Sequence, residues 1–573
     1  MGRKALWGMA VLVSMAAYPA AAVYAGKATG GSASFSRQIP KDARILQALN
    51  RLTFGPRPGD AAQVKAMGLK KWIDRQLHAE RTPENPVLLE KLKPFDTLTM
   101  SGEELIRNYP APQIVRQMVA GQIPFPSDPD RRMTIQKLVA RAERQQGDGA
   151  AAPASAPNPQ PLADLLTPPQ IRSLRNGTPQ ERLAEFQALP PATQTDVIGV
   201  LPQGVRQALF VAAPPELRRR IELLAGPAQV VERDLQESKI LRAVYSNRQL
   251  EEVLADFWFN HFNVFMDKGA DRYLTTEYER DAIRAHVLGH FRDLLEATAK
   301  SPAMLFYLDN WQSVGPNSPQ PRGPNAQRRG LNENYGRELL ELHTLGVDGG
   351  YTQKDVTEVA RCFTGWTINQ PQLGGSFLFA PRLHDNGEKT VLGVKIPAGG
   401  GQSDGEKVLD IVARHPSTAH FISRKLAQRF VADSPPSALV ERMAQTFLKT
   451  DGDLRAVMET MLGSREFWSE GAFRSKMKSP LEMVVSAVRA TGGDVDFATA
   501  LVNQVALLGE PLYRKQEPTG YSNSSREWVN TAGLMARMNF ALQLAGNKLP
   551  GVTVEKQEGA GATALGSPEF QKR

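Results

Sequence analysis

The sequence predicts a mostly α protein: one large multi-helix domain carrying a short-helix repeat insertion and one small β-hairpin-like loop. Three observations predict it. From Asp42 onward apolar residues recur at spacings of three and four, as in VKAMGLKKWIDRQLHAE, the period of a helix with one buried face. Pro168, Pro179, Pro190, Pro202 and Pro214 fall 11 to 12 residues apart, each opening a short apolar-periodic unit. From about Val230 to Leu549 one stretch, Gln370 to Gly405, interrupts the helical period.

Residues 1–25 read as a signal peptide. Arg3 and Lys4 precede an uncharged apolar run, and small residues lead to a cleavage site after Ala25. Cleavage lowers the formal charge from +9 to +7, and a periplasmic or secreted location follows. The positive excess is spread over short clusters such as Arg218, Arg219 and Arg220. It reads as a solvated helix face, and nucleic acid is not an expected partner. Cys362 is the single cysteine, so an intramolecular disulfide or a thiolate metal cluster is excluded. Its place in the apolar run of a helix predicts a buried structural thiol. After residue 25 no apolar run is long enough to span a bilayer.

The N-terminal helical part of the main domain takes residues 26–146. The segment 147–161, GDGAAAPASAPNPQP, lacks the side chains to build a core and reads as a linker. In 162–228 each proline sits where a helix begins, because its missing N–H has no intrahelical partner to lose. Helices that short are marginal alone and must stack on a neighbour. Residues 229–550 resume as the main helical body. Within it GSFLFAPRLHDNGEKTVLGVKI places two β-rich runs around Asp385-Asn386-Gly387, the expected hairpin turn. Gly399-Gly400-Gly401 lacks the Lys-Ser/Thr sequel of a phosphate loop. Residues 551–573 are small and polar, and are expected to be disordered.

Charge in the central helices marks the candidate site. In NENYGRELLELHTLGVDGGYTQKDVTEVARCFTGW, a rotation of about 100° per residue from Tyr335 puts Leu339, Leu342 and Leu345 near 40°, 340° and 280°. Arg337, Glu341 and Thr344 then fall on the opposite side, and Glu338 lands between two leucines, pointing inward. Asp355 falls among Val356, Val359, Ala360, Cys362 and Phe363. It also lies three residues after Thr352, so it reads equally as a capping-box carboxylate. Upstream, LEEVLADFWFNHFNVF centres His261 on an apolar face, which suits a hydrogen-bonded core residue or a base. Three inward ionisable groups on different helices would be expected to share a polar site, because unpaired burial costs several kcal/mol each. His384-Asp385 adds a further candidate, and His415-Pro416-Ser417 reads as a helix cap. HExxH and ExxH motifs are absent from the sequence, so neither of those metal-site mechanisms is indicated.

The central motif, with FWFNHFNV before it and KMKSPLEMVVSAVRA and EPTGYSNSSREWVN after it, resembles the bacterial family known as domain of unknown function 1800. The resemblance runs from residue 51 to about residue 545. It implies exported, predominantly helical proteins, often encoded beside a second family similar to sulfatases, and it brings no accepted activity. His261, Arg337, Glu338, His343, Asp355, Arg361 and Trp366 match its pattern without assigned roles. Two functions remain open. The favoured one is a binding or assembly partner of another exported protein, a sulfatase-like one on the family's implication. The alternative is an exported enzyme with Glu338 as acid or base and His261 as proton partner or ligand of a divalent metal. Asp355 or His384 would then orient substrate or metal.

Overall fold

The computed structural model describes residues 32–129, 131–136, 139, 162–318, 330–555 and 561–573. The expected signal peptide, and the expected linker at 147–161, lie outside the described residues. The chain is 62% helical, and among the described residues its strands form only three two-stranded antiparallel sheets.

One apolar core runs through the main body. It is fed by α1 (Ala43–Leu52) and by the helices from residue 227 onward. Helix α2 (Pro168–Asn176), α3 (Pro179–Ala188), α4 (Pro191–Val200), α5 (Gln203–Ala212) and α6 (Pro215–Ala225) follow the proline period. Each starts at a proline or directly after one. These helices bury a separate apolar cluster around Phe186, Val197, Ile198 and Leu209. Phe497 of the main body reaches into it and meets Phe210 edge to face at 5.5 Å.

The arginine run on α6 differs from the expected solvated face. Arg218 forms a bidentate pair with Asp496 at 2.6 and 3.0 Å, and Arg220 donates to the Gln194 side chain at 2.9 Å. Arg219 donates to both oxygens of Asp234 at 2.6 and 2.8 Å and to Asp96 at 2.5 Å. Asp234 belongs to α7 (Pro227–Tyr245), the first long helix of the body. The run therefore fastens the repeat to the body through planar, forked donors.

Helix α7 leads into α8 (Gln249–His261). Helix α9 (Asn334–Glu338) continues without a break into a π-helical turn at Leu339–Thr344. Next come α10 (Gln353–Cys362), α11 (Pro416–Phe430), α12 (Pro480–Ala490) and α13 (Thr531–Ala545). Among the described residues no helix is long and apolar enough to cross a membrane.

The irregular stretch pairs differently from the expected hairpin. Strand β1 (Trp366–Ile368) takes β2 (Phe377–Phe379), so the first β-rich run turns back to the residues after α10. Strands β3 (Lys389–Val391) and β4 (Val394–Ile396) form the hairpin by themselves. Its turn is Leu392-Gly393, with φ of +49° and +79°, the doubly left-handed turn that matches strand twist. Asp385-Asn386-Gly387 is instead a side-chain turn, Asp385 accepting from the Gly387 N–H at 2.9 Å.

The C-terminal segment corrects the expectation of disorder in its described residues. Strand β6 (Val552–Thr553) pairs with β5 (Asp494–Val495). Leu565 is buried in the main core, and Lys572 bridges to Met477. Few large apolar anchors suffice here because the partners are main-chain groups and buried charges, which composition does not reveal.

Candidate functional site

The residues singled out from the sequence do not meet in one place. His261 is buried among Trp258, Phe262 and His343. Its Nε2–H donates to the His343 carbonyl at 3.0 Å, which leaves Nδ1 as acceptor for the Lys425 ammonium at 2.9 Å. Burial, reinforced by Lys425, pushes the His261 pKa well down, and burial takes His343 to about 3, so both rings are neutral at pH 7. Burial lowers Lys425 to about 8.

Glu338 is half-buried rather than inward, and neither His261 nor Arg361 is its hydrogen-bond partner among the described residues. Burial and the neighbouring Glu341 raise its pKa. The π turn is the reason for the changed geometry. It inserts one residue into the helical repeat, so the rotation of about 100° per residue fails from Leu339 onward. Thr344, expected on the surface, is instead fully buried and donates to the Leu339 carbonyl five residues back at 2.6 Å. Arg337 turns to Gln353 at 2.8 Å, and Glu341 accepts from the Tyr351 hydroxyl at 3.2 Å.

Asp355 forms the capping box. It accepts from the Thr352 N–H at 2.8 Å while its own N–H donates to the Thr352 hydroxyl at 3.3 Å. Its second oxygen accepts from the Leu392 N–H at 2.8 Å, tying α10 to the β3–β4 turn. Burial pushes the carboxyl up, but these hydrogen bonds outweigh it and hold the pKa below its ordinary value. His384 is sealed. Its Nδ1 donates to the Thr364 carbonyl at 2.8 Å, its Nε2 lies 3.2 Å from Asp404, and Lys389 donates to the same Asp404 oxygen at 2.7 Å. All three of these side chains are 0% exposed. Arg361 pairs with Asp385 at 2.7 Å and Glu358 at 2.8 Å. His415 caps α11 by accepting from the Ser417 N–H at 3.2 Å. Cys362 is buried and its thiol is pushed up to about 12 by burial. Trp366 is core. Among the described residues no set of three or more His, Cys, Asp or Glu is placed to hold a metal ion.

A charged cavity lies on the other side of α8. Asp256 and Asn260, spaced i and i+4 on that helix, and Asn263, two residues past its end, line the cavity. These residues face five other segments. Lys476, Ser479 and Glu482 come from KMKSPLEM at the start of α12. Glu510, Tyr513, Tyr521 and Asn523 come from the loop around EPTGYSNSSREW. Arg429 comes from α11, Lys239 from α7, and Arg573 from the docked C-terminal segment. The cavity measures about 50 Å³, room for a few waters or one small group at the ~10–15 Å³ that a water centre needs. Ser522 at its rim is exposed, and the Asp256 side chain keeps 19% of its surface open.

The asparagines of FNHFN build the wall. Asn260 accepts from the Tyr521 N–H and donates to the Tyr521 carbonyl, both at 2.6 Å. Asn263 donates to the carbonyls of Lys515 and Glu517 at 2.8 and 3.0 Å. Gly520 sits at φ +68°, and a Cβ there would meet the Asn260 carbonyl oxygen at 2.1 Å. Only glycine fits this approach.

The charges are distributed unevenly. Asp256 pairs with Lys239 at 3.0 Å. Glu482 receives Arg429 and, at 3.0 Å, Arg573. Burial alone would raise the Glu482 carboxyl, but the two arginines overcome it and take the pKa to about 2. Glu510 accepts from the Leu481 N–H at 2.8 Å, a free donor in the first turn of α12. Burial, then the Asp256 charge, nevertheless raises Glu510 to about 7. Lys476 donates to Asp433 and to the Asn523 carbonyl, and burial brings it down to about 8. Two carboxyls in one cavity thus have pKa values driven far apart, which is how one site supplies both a charged and a protonatable group near neutral pH.

The fold and this site define a mostly α protein with a solvent-reachable charged cavity, walled by three of the sequence's most distinctive motifs. The chain matches the family described as protein of unknown function (DUF1800) over residues 47–571, and it belongs to that family. No curated protein and no solved structure matches it. Sequence reading passed over Asp256 and Glu510 because it followed the apolar face of α8. The polar pair Asp256 and Asn260, i and i+4 on the opposite side of α8, was the available signal.

Proposed function

We propose that this protein is an exported acid–base enzyme whose proton-transfer group is Glu510. The observation that carries the reading is Glu510 itself: a buried carboxyl held near pH 7 beside Asp256, in a cavity that opens to solvent. A group whose pKa matches the working pH is both available in the needed form and strong enough to move a proton. Lys239 fixes Asp256, and the loop gripped by Asn260 and Asn263 closes the cavity over a bound group. This favours the enzymatic alternative over the role of assembly partner, which requires no such cavity. Glu338, His261, Asp355 and His384 take structural roles in this reading. The periplasmic or secreted location belongs to the proposal through the first 25 residues.

The test is untargeted mass spectrometry of a periplasmic and medium extract incubated with the wild-type protein or with Glu510→Gln. The reading expects a compound that disappears, and a product that accumulates, only with the wild type. Identical time courses for both proteins, with both shown to be folded, would overturn it.

A further inference from the structure

Arg429 carries an unspent donor. Its residue surface is 5% exposed and it lines the cavity, yet its Nη2 has no hydrogen-bond partner among the described residues. An Asp256 carboxylate oxygen stands 3.8 Å away, beyond hydrogen-bonding distance. Nη1 is taken by Glu482. Arg573 Nε, on another side chain lining the cavity, is likewise without a partner among the described residues. A buried guanidinium nitrogen with nothing to donate to is costly, and such a group held at a cavity wall marks where a ligand completes the pairing.

We propose that the cavity binds the carboxylate group of a small organic acid through Arg429. The proposal rests on the acid–base reading and names its substrate class. Charge count selects the class. Lys239, Arg429, Lys476 and Arg573 face Asp256, Glu482 and Glu510 in the lining and Asp433 behind Lys476, so one cation is left over when Glu510 is protonated, which suits a single negative charge. A dianion such as phosphate or sulfate would face the repulsion of Asp256 and Glu482 without enough cation to offset it. Shape agrees, because a planar carboxylate matches the in-plane N–H groups of arginine. The volume of about 50 Å³ takes such a group and leaves the rest of the molecule towards the rim at Ser522. The Glu510 carboxyl would then lie beside the atoms next to the bound carboxylate, where a proton can be taken or returned.

The experiment titrates acetate, and separately phosphate and sulfate, into the full chain at constant ionic strength with chloride as reference. Binding is read by calorimetry and by the shift in thermal unfolding. Acetate should bind and raise the unfolding temperature, with phosphate and sulfate at least tenfold weaker. Arg429→Gln should weaken acetate at least tenfold. Asp256→Asn, which keeps the shape and removes the competing charge, should tighten it several-fold, and it decides the matter if the Arg429 variant does not fold. Equal affinity in Asp256→Asn and wild type, tighter binding of phosphate or sulfate, or no acetate binding would overturn the proposal. Turnover of the wild type, measured beside acetate binding, separates the two readings. Acetate binding without any wild-type turnover sinks the enzyme and keeps the carboxylate site; turnover without acetate binding does the reverse.

Discussion

Asn260 holds Tyr521 by both of its main-chain groups, accepting from the N–H and donating to the carbonyl at 2.6 Å each. A side chain here does the work of a neighbouring strand. It fixes the loop that walls the cavity to the helix that carries Asp256.

Replacing Asn260 by alanine removes both bonds and leaves two main-chain groups partly buried. At about 1 ± 0.5 kcal/mol per net hydrogen bond, the expected loss is about 1–3 kcal/mol, with faster amide exchange confined to residues 514–529. Chemical denaturation and hydrogen exchange on the same variant check both. Gly520→Ala should loosen the same loop, because the added Cβ meets the Asn260 carbonyl oxygen.

Glu510 predicts a pH signature. Its pKa is about 7 in the folded chain and near the ordinary 4.5 when unfolded. Between these values the folded state holds more protons, so stability falls as pH rises through the window, and the cost is complete above about 7. Glu510→Gln removes the charge and keeps an acceptor for the Leu481 N–H. Wild type and variant should match near pH 4, and the variant should be the more stable by about 1–3 kcal/mol at pH 8. Urea unfolding across that range measures it; a constant difference at all pH values would contradict the assignment.

The sealed His384–Lys389–Asp404 group predicts the opposite behaviour for a structural site. Lys389→Met leaves Asp404 buried without its cation, at a cost of about 3–5 kcal/mol. Any turnover should fall only in proportion to the folded fraction. Thermal unfolding and specific activity of the soluble protein report the two.

Glu338→Gln should change stability by less than about 1 kcal/mol, since the carboxylate is half-exposed and its burial is uncompensated. Turnover should be unaffected. Loss of activity with unchanged stability would return Glu338 to the site.

Deleting residues 162–228 removes Arg219 and strands Asp234, a carboxylate 1% exposed. The helices of the repeat bury their own apolar cluster, so the remainder should still fold, but less stably by about 3–5 kcal/mol. Asp234→Asn in the shortened chain should recover part of that loss. Calorimetry of the three proteins tests it.

The helical class, the proline-started helices of the repeat, the Thr352–Asp355 capping box, the His415 cap and the buried Cys362 were determined by the sequence itself. Each depends on residues within a few positions of one another, where spacing and propensity act directly. Tertiary structure decided the rest. The π turn after Glu338 rotated Leu342 out of the expected core position beside that carboxylate and buried Thr344. Strand β2 chose β1 over the nearer run, and a C-terminal segment with few apolar anchors docked on main-chain bonds and the Arg573–Glu482 pair. The cavity is the clearest case, because Asp256, Arg429 and Glu510 are separated by some eighty residues or more and no local pattern links them. They meet because α8, α11 and the loop before α13 pack on one core, and charges left facing each other there acquire pKa values that none has alone.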